Sequence, residues 1–436
     1  MMRVLFLTPS YPPMLGGGAR YAQALARHLS LQGHDITVIT TQASRDADFW
    51  RGTRSTETVL WRQEERLQVA RCAIRRMPAG LLGLLLWRKA MIALSALPGD
   101  QSGILRRMAR RIPNVSGMRE ILQHLKDYDI VHAWNLSWEY PVIEGWRVAR
   151  ERRVPLVITP FAHLGTGVGD RVARNNTMDH QCRLLRDADA VLALTSLEKE
   201  GLVALGIEAA RVHVVGGGMD TAPQDGLRYT ARETLERFRL APPVILFIGR
   251  VSRDKGAIQA CEAMRLLRAQ GMRVSLALVG EVAPDFERYF RSLGADGRAG
   301  IYPLGAVDDA TKHALLAACE MLVLPSRVDS FGLVLLEAWS HGKPVIGARA
   351  GGLPAVIEEG QDGLLVPYGD ARALARAIIQ LLHNPIQARE LGRQGQLKVL
   401  THYTWDAICE QHIRIYRQLL RGHGSASSKQ GGGRCA

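Results

Sequence analysis

The sequence lacks the residue patterns that mark several large classes of protein. Its six cysteines stand singly among 436 residues, and none of them forms a CxxC pair. Neither a disulfide framework nor a cysteine zinc site is therefore indicated, and scattered cysteines fit a reducing compartment. The opening residues, MMRVLFLTPSYPP, have too short an apolar stretch for a secretory signal, and prolines stand where a cleavage site would be. We therefore expect a cytoplasmic protein.

An uninterrupted apolar run long enough to cross a membrane is also missing. Arg88 and Lys89 interrupt the stretch MPAGLLGLLLWRKAMIALSALPG, so it does not predict a transmembrane helix. The formal charge of +14 is unevenly spread, because the segment from Arg45 to Asp127 holds 16 Lys and Arg against 8 Asp and Glu. The sequence contains no nucleic-acid recognition motif, and its basic residues are not interleaved with aromatic ones. We expect no nucleic-acid partner.

Short apolar strands alternate with helical patterns along most of the chain. After a strand at Arg3–Thr8, apolar residues at Ala22, Leu25, Ala26 and Leu29 predict one face of a helix. Continuous apolar strands separated by helices are typical of parallel sheets covered on both faces. The further strands are predicted at Asp35–Thr40, Asp129–Trp134, Pro155–Thr159, Ala190–Thr195, Arg211–Val215, Pro243–Gly249, Val274–Gly280, 301–305, Met321–Pro325, Lys343–Ala348 and Gly363–Pro367.

A break around 220–243 divides this pattern into two halves, as the length of the chain also suggests. We predict an α/β fold of two doubly wound, Rossmann-like domains that face each other across a cleft. The domains are placed at 1–222, with a basic apolar insert at 45–127, and at 240–403. A helix at 404–421 is expected to pack back on the domains, and the low-complexity stretch 422–436 to be a disordered tail.

The loop GRVSRDKG combines glycine with two cations at the end of a predicted strand. Gly256 opens a helix, where the backbone can approach a ligand closely and free N–H groups are available. Arg250 and Lys255 add a guanidinium and an ammonium, and a diphosphate requires this combination of groups. The alternative is a surface loop whose charges are solvated.

The stretch RVDSFGLVLLEAWSH places two carboxylates around an apolar helix. Asp329 follows a predicted strand of the same sheet, at the same edge as the previous loop, and Glu337 lies within the helix. A carboxylate in apolar surroundings is costly unless it accepts hydrogen bonds, which a ribose or sugar diol would supply. The alternatives are that Asp329 or Ser330 caps the helix, and that Glu337 pairs with Lys343 or His341.

Asp329 and Glu337, with SFG between them, resemble the E-x7-E motif of retaining GT-B glycosyltransferases of family 4. The similarity covers nearly the whole chain, and the motifs that carry it stand in the family's order. It implies a GT-B fold in which 1–222 is the acceptor-side domain and 240–403 binds a nucleotide sugar. The other segments that resemble the family are RVLFLTPSYPPMLGGGARYAQALARHL, DIVHAWN, GGMD, GRVSRDKG and HGKPVIGARAGGLPAVIEEGQDGLLVPYGD.

The resemblance also implies roles for single residues of the second half. Glu337 would bind the ribose hydroxyls of the nucleotide, and Asp329 would contact the donor sugar. Amides near Phe331 and Gly332 would cover the diphosphate. Asp329 stands where the family usually has glutamate, and one methylene less shortens its reach by roughly 1.5 Å. This departure bears on the identity of the donor sugar more than on the fold.

In the first half, the resemblance implies that Gly17 and Gly18 face the cleft and let the leaving diphosphate and the acceptor approach. His163, in ITPFAHL, would contact the donor sugar, although a histidine at a strand end is more often a structural hydrogen-bond donor. His132 is the rival candidate, and we expect a structural role for it. A dinucleotide site is not expected, because the glycines lack G-x-G-x-x-G spacing and Asp35 begins its strand instead of following it.

Two D-x-D sequences could suggest a metal site. One lies in a polar loop at Asp46–Asp48, and the other at Asp187–Asp189 precedes a strand, which is the wrong end for a ligand site. With Arg250 and Lys255 available to neutralise the phosphates, no ion is required. We expect metal-independent transfer and no cofactor.

The segment 71–111 combines leucines and tryptophan with arginines. This composition suits an interfacial helix that touches anionic lipid headgroups, where a lipid-linked acceptor would dock. The protein would then be peripheral on the inner face of the membrane. The alternative is a domain helix with one buried face and one solvated basic face.

The expected activity is therefore that of a retaining, metal-independent hexosyltransferase. It would move a hexosyl group from a UDP- or GDP-sugar to an acceptor hydroxyl, in cell-envelope, polysaccharide or glycolipid synthesis. The expected partners are the nucleotide sugar and an acceptor glycan, lipid or small molecule, with the anionic membrane surface as a further candidate. The alternatives are a non-catalytic nucleotide-sugar-binding protein, and a sugar-phosphate synthase or epimerase of the same fold.

Overall fold

The structure is a computed structural model that describes residues 1–14, 16–162, 171–220 and 230–430, with the side chains of 171–172 and of residues beyond 423 left out. The chain divides into two compact units. Unit 1 comprises Met1–Gly218 together with the segment that begins at Trp405, and unit 2 comprises Met219–Thr404. Within the described part of the chain, no helix is both long and apolar enough to cross a membrane.

Unit 1 is built on a sheet of eight strands with helices between them. Its elements are β1 Arg3–Leu7, α1 Gly17–Leu31, β2 Asp35–Thr41, α2 Asp48–Arg51, β3 Val59–Glu64, β4 Leu67–Cys72, β5 Ile74–Arg75, α3 Gly80–Ser95, α4 Ser102–Ala109, β6 Asn114–Val115, α5 Met118–His124, β7 Ile130–Trp134, α6 Tyr140–Arg152, β8 Leu156–Thr159, α7 Arg171–Asn176, α8 Asp179–Arg186, β9 Ala190–Ala193, α9 Ser196–Ala204, a 3-10 turn at Ala209–Arg211 and β10 Val212–Val214.

The strand order in this sheet is β10-β9-β8-β7-β1-β2-β4-β3. All neighbouring pairs are parallel except β3 with β4. The chain starts at β1, turns to β2 on one side and returns to β7 on the other. The loops after β1 and β7 therefore leave the carboxyl edge at a point where the winding direction reverses, which is where ligands bind in sheets of this kind.

The segment 45–127 was expected to be an insert, and this is wrong for residues 59–72. Strand β4 pairs in parallel with β2, and β3 forms a hairpin with β4, so both extend the main sheet. Apolar positions of β4 are buried, whereas β3 is the exposed edge strand and carries Trp61 with 48% of its surface accessible. Because both strands of this hairpin contain polar and basic residues, the sequence does not show the continuous apolar runs that identify the other strands.

The C-terminal helix α18 extends over Trp405–Gln430 and packs against α1 of unit 1. Tyr416 of α18 is fully buried and lies with its hydroxyl 2.6 Å from Nδ1 of His132 in β7, and the other ring nitrogen of His132 is 2.8 Å from the hydroxyl of Thr159. Burial lowers the pKa of His132 well below its usual range. The structural role expected for His132 is confirmed.

The same helix corrects the expectation for the chain's end. It was predicted to finish at 421 and to be followed by a disordered tail at 422–436. The structure continues the helix through 422–430, so the expectation is wrong for those residues, and 431–436 lie outside the described part. Low-complexity composition misled the prediction, because it gives no direct measure of helix length.

Unit 2 has a second sheet, of six strands. Its elements are α10 Ala231–Arg237, β11 Val244–Ile248, α11 Ala257–Ala269, β12 Ser275–Val279, α12 Pro284–Ser292, α13 Ala295–Arg298, β13 Ile301–Gly305, α14 Asp309–Ala318, β14 Met321–Leu324, α15 Leu333–Ser340, β15 Val345–Ala348, a 3-10 turn at Leu353–Ala355, β16 Gly363–Val366, α16 Ala371–His383 and α17 Pro385–His402.

This sheet is entirely parallel, in the order β13-β12-β11-β14-β15-β16. Its central strands are buried along their whole length, as continuous apolar runs require when helices cover both faces. The predicted α/β class with two Rossmann-like sheets is confirmed.

Candidate active site

The winding direction of the second sheet reverses between β11 and β14. From β11 the chain proceeds outwards to β12 and β13, and it then returns to β14, the neighbour of β11 on the other side, before continuing to β15 and β16. The loops 249–256 and 325–332 therefore leave neighbouring carboxyl ends of the sheet. This is the position at which open α/β sheets bind their ligands, and both predicted motifs of unit 2 lie there.

The two loops touch each other through their backbones. The N–H of Arg327 donates to the carbonyl of Asp254 at 2.9 Å. Gly256 is the N-cap of α11 with a φ of 82°, and a Cβ at this position would lie 2.1 Å from the carbonyl oxygen of Pro325. Only glycine satisfies both the left-handed backbone and the close approach. The start of α11 is thus held against the end of β14.

An ion pair joins the same two loops through their side chains. Nζ of Lys255 donates to Oδ1 of Asp329 at 2.7 Å, and the side chains are 24% and 17% accessible. Arg250 lies on the same loop as Lys255 and is exposed. The structure therefore brings together the predicted cation and the predicted sugar-contacting carboxylate, both still in reach of solvent.

The helix that follows the second loop begins at a glycine. Gly332 is the N-cap of α15 with a φ of 83°, so neither Asp329 nor Ser330 occupies the cap position that the alternative interpretation gave them. No acidic residue stands in the first turn of α15. The ring of Phe331 is buried and meets Tyr403 edge-on at a centroid distance of 5.4 Å. The ring of Phe331 therefore packs in the protein interior. Only its backbone amide would contribute to a ligand site.

A second lysine accompanies the second carboxylate. Oε1 of Glu337 on α15 accepts a hydrogen bond from Nζ of Lys312 on α14 at 2.6 Å, and Lys312 also lies 3.1 Å from Asp309. The side chains of Lys312 and Glu337 are 8% and 14% accessible. Sequence reasoning offered Lys343 or His341 as ion-pair partners, and Lys312 takes that place. The burial of Glu337 is therefore compensated within the protein, and does not by itself demand a ligand.

The edge between β11 and β14 now has a definite chemical character. It presents the start of α11 and of α15, whose N-terminal amides favour an anion. Arg250 and Lys255 add two cations, while Asp329 adds an acceptor for hydroxyl groups. Such a combination can bind the phosphates of a ligand on one side and its hydroxyl groups on the other.

The two predicted glycines of unit 1, Gly17 and Gly18, lie at the carboxyl edge of that unit's sheet. Helix α1 begins at Gly17, after the loop that leaves β1. A Cβ on Gly18 would lie 3.0 Å from the ring of Phe161, so the glycine lets the start of α1 approach the segment after β8. His163 lies outside the described residues.

A carboxylate that sequence reasoning missed supports that segment. Glu198 at the start of α9 accepts hydrogen bonds from the backbone N–H of Ala162 and of Leu194, each at 2.7 Å, and it is 5% exposed. Burial raises the pKa of Glu198 to about 7, while the two N–H donors act in the opposite direction. No sequence signal could have found this role, because Glu198 resembles an ordinary first-turn acidic residue.

Both D-x-D sequences are engaged within the protein. Asp48 accepts hydrogen bonds from Ser44 and from the backbone of Arg45. Asp187 accepts one from the indole of Trp146, and Asp189 accepts one from the backbone N–H of Leu156 at 2.8 Å. Among the residues that the structure describes, no group of three or more His, Cys, Asp or Glu side chains is arranged to hold a metal ion.

Each of the two units matches a known family of protein domains. Residues 16–218 match the family described as "Glycosyl transferase 4-like domain", and residues 233–398 match the family described as "Glycosyl transferases group 1". The two matches correspond to most of unit 1 and most of unit 2.

Curated relatives and solved structures agree with these matches. The chain is 31% identical to a D-inositol 3-phosphate glycosyltransferase of Acidothermus cellulolyticus, over 95% of this chain and 88% of the relative. It is 26% identical to the glycogen synthase of Mycobacterium tuberculosis, over 97% and 96%. Anabaena Alr3699/HepE in complex with UDP and glucose superimposes with a TM-score of 0.68 at 19% identity, covering 96% of this chain and all of that one. At that identity the structural likeness shows the fold.

Proposed function

Because this chain belongs to the glycosyl transferases group 1, in glycosyltransferase family 4, and is thus a glycosyltransferase, we propose that it moves a hexosyl group from a UDP- or GDP-sugar to an acceptor hydroxyl. One observation carries the proposal. The loops after β11 and β14, neighbours at the reversal point of the second sheet, are joined by the pair of Lys255 and Asp329.

The diphosphate of the donor binds at this edge. Arg250 and Lys255 contact its oxygens, and the amides at the start of α15, near Phe331 and Gly332, cover it. Lys255 is paired with Asp329 before a donor binds, so its ammonium group is already directed into the loop region. The pairing reduces the conformational freedom that the lysine would lose on binding phosphate.

The sugar and the ribose bind the two carboxylates. Asp329 accepts a hydrogen bond from a hydroxyl of the donor sugar. Glu337 accepts hydrogen bonds from the ribose hydroxyls, while Lys312 orients its carboxylate. From the resemblance alone, we propose that His163 contacts the donor sugar and that Gly17 and Gly18 leave room for the diphosphate and the acceptor. Of these assignments, the roles of Asp329 and Lys255 have the most direct geometric support.

The reaction proceeds with retention of configuration. The bond between the anomeric carbon and the phosphate oxygen breaks through an oxocarbenium-like state, and the acceptor hydroxyl attacks from the same face. The departing phosphate takes the acceptor's proton, so no enzyme nucleophile is required. Arg250, Lys255 and the helix-start amides stabilise the charge that develops on the leaving diphosphate. Because these groups supply positive charge, we propose that neither a metal ion nor another cofactor takes part.

The names of relatives support a nucleotide-sugar donor. Structures of Alr3699/HepE are described in complex with UDP and with UDP-glucose, and a starch synthase IV of Arabidopsis thaliana is described with ADP. We propose the same class of ligand here, with an acceptor glycan, lipid or small molecule in cell-envelope, polysaccharide or glycolipid synthesis. The protein would act in the cytoplasm or at the inner face of the membrane.

Release of nucleoside diphosphate tests the activity. The purified chain is incubated in EDTA with UDP-, GDP- and ADP-sugars and a panel of acceptors, including inositol phosphate, oligosaccharides and lipid-linked sugars. We expect release from UDP- or GDP-sugar, and a large loss of release in Lys255→Ala. Release only on addition of a divalent ion would contradict the metal-independent mechanism. No release from any donor with any acceptor would contradict the transferase itself.

Three alternatives would give different results in the same assay. A non-catalytic nucleotide-sugar-binding protein would bind one donor without turnover. A sugar-phosphate synthase would release nucleoside diphosphate only when the acceptor is a sugar phosphate or phosphate, and relatives named alpha-maltose-1-phosphate synthase and sucrose-phosphate synthase make this the second candidate. An epimerase would convert the nucleotide sugar into its epimer, with no net release of nucleoside diphosphate and no glycoside formed.

A further inference from the structure

Helix α3 exposes leucines on its outer side. Leu81, Leu82, Leu85 and Leu86 are 47%, 63%, 51% and 57% exposed, whereas Leu84 and Met91 are buried against the core of unit 1. The exposed positions follow the i, i+3 and i+4 spacing that places residues on one side of a helix. Lys89 is exposed and continues the same side one turn later.

Two polar side chains of this apolar helix, those of Arg88 and Trp87, point inwards. Arg88 donates to the fully buried carboxylate of Glu139 and, at 2.7 Å, to the carbonyl of Ser137. The indole of Trp87 donates to the carbonyl of Met108 at 3.2 Å. These inward contacts leave the leucines and Lys89, not Arg88 or Trp87, on the outer side of the helix. The rotation of α3 is therefore set by specific hydrogen bonds, and the outward direction of its leucines is a defined feature of the fold.

The anchor of α3 lies at the carboxyl edge of the first sheet. Ser137 and Glu139 belong to the loop between β7 and α6, which leaves the sheet where its winding reverses. In the proposed function this is the acceptor side. A surface that covers α3 would therefore be connected, through Arg88 and Glu139, to a loop at this carboxyl edge.

Exposed apolar residues near α3 in the sequence add to its leucines, and the surrounding charge is of one sign. Leu97 and Ile104, which follow the helix, are 55% and 53% exposed. Between residues 71 and 111 there are nine Lys and Arg against the single acid Asp100. Those that are exposed are Arg75, Arg76, Lys89, Arg107 and Arg111.

We propose that the outer side of α3 docks on an anionic lipid surface. Soluble proteins rarely leave a contiguous group of large apolar side chains in water, and leucines flanked by cations are suited to the boundary between headgroups and acyl chains. A second copy of the chain is a poorer occupant, because a symmetric interface would bring the same cations against each other. The inference rests on the proposed function only for the class of acceptor, which would be lipid-linked or embedded in the membrane.

Flotation with vesicles tests the docking. The whole chain is mixed with phosphatidylcholine vesicles, or with vesicles that contain phosphatidylglycerol, at low and at high salt. We expect binding to the anionic vesicles that weakens with salt, because exposed charges are screened. In Leu82→Gln/Leu86→Gln, which removes the two most exposed leucines of α3, binding should fall at least about tenfold because apolar burial is lost.

A matched variant separates this surface from other exposed apolar residues. Ile386 and Leu400 on α17 of unit 2 are 73% and 51% exposed, so Ile386→Gln/Leu400→Gln makes the same chemical change elsewhere and should leave vesicle binding unchanged. Melting temperatures of both variants should stay close to that of the unaltered chain. Nucleoside diphosphate release with a soluble acceptor, measured on the same samples, reports on the proposed function independently of docking.

Three results would overturn the proposal. The first is no binding of the unaltered chain to anionic vesicles at low salt. The second is equal binding by the α3 variant and the α17 variant. The third is a dimer in solution that Leu82→Gln/Leu86→Gln dissociates while vesicle binding is absent, since a second copy would then cover the helix.

Discussion

Substitutions of Lys255 and of its ion-pair partner Asp329 should have different effects on the affinity for nucleoside diphosphate. The lysine is proposed to bind the diphosphate, whereas the aspartate is proposed to bind the sugar and, before the donor arrives, the lysine itself. Lys255→Ala removes a charged hydrogen-bond donor. Asp329→Asn removes a negative charge beside the phosphate site and releases the lysine from its ion pair.

The size of each effect follows from ordinary charged hydrogen bonds. Losing one such bond to a phosphate costs about 1.5–3 kcal/mol, so Lys255→Ala should weaken binding of the nucleoside diphosphate by roughly 10- to 150-fold. Asp329→Asn should leave that affinity within about threefold or raise it, because a like charge near the phosphate is removed. Turnover should fall in both variants, since each loses a contact to the donor.

Isothermal calorimetry with the nucleoside diphosphate alone measures both affinities. Lys343→Ala, a lysine of unit 2 outside the two loops, is the control and should bind like the unaltered chain. The folded state should tolerate these changes, because an ion pair that is still in reach of solvent contributes up to about 1 kcal/mol. Equal losses of affinity in Lys255→Ala and Asp329→Asn would refute the reasoning, since the lysine would then act only through its pairing.

Three further predictions concern contacts that support the two units. Lys312→Met removes the lysine partner of buried Glu337 and should lower the free energy of unfolding, measured by denaturant titration, by about 3 kcal/mol, because it leaves a buried charge without its partner. The loss should be smaller when Glu337→Met is added, since that charge is then removed as well. Tyr416→Phe removes a hydroxyl from buried His132 and should cost about 1–3 kcal/mol in the same measurement; an unchanged midpoint would contradict the described contact. The pKa of Glu198 is raised from 4.5 to about 7, so the folded state holds its proton more tightly than the unfolded state. Stability should therefore fall by about 3 kcal/mol as the pH rises through that range, and Glu198→Gln should remove this slope.

The sheets and their motif-bearing loops could be predicted because their strands are continuous apolar runs. Buried parallel strands need no alternation, so segments such as 244–248 and 321–324 are recognisable without knowing their neighbours. The same rule failed for 59–72, where an edge hairpin is polar on one side and lies among basic residues. The excess of basic residues over that long segment was recognised in the sequence, whereas the pattern of its two strands was not.

The partners within the candidate site could not be predicted, because they depend on strand order. Lys255 meets Asp329 only because β11 and β14 are neighbours, although two other strands separate them along the chain. Glu337 meets Lys312 because α14 packs against α15, and the sequence offered nearer cations in Lys343 and His341. The sequence thus identified the chemical groups of the site, and the topology determined which of them pair.

A crystal structure with the nucleoside diphosphate of the accepted donor would show whether the loops after β11 and β14 bind the donor. We predict phosphate oxygens within hydrogen-bonding distance of Lys255 and of the amides at the start of α15, with the ribose hydroxyls on Glu337. A nucleotide bound elsewhere on the chain, with the loops after β11 and β14 empty, would contradict it.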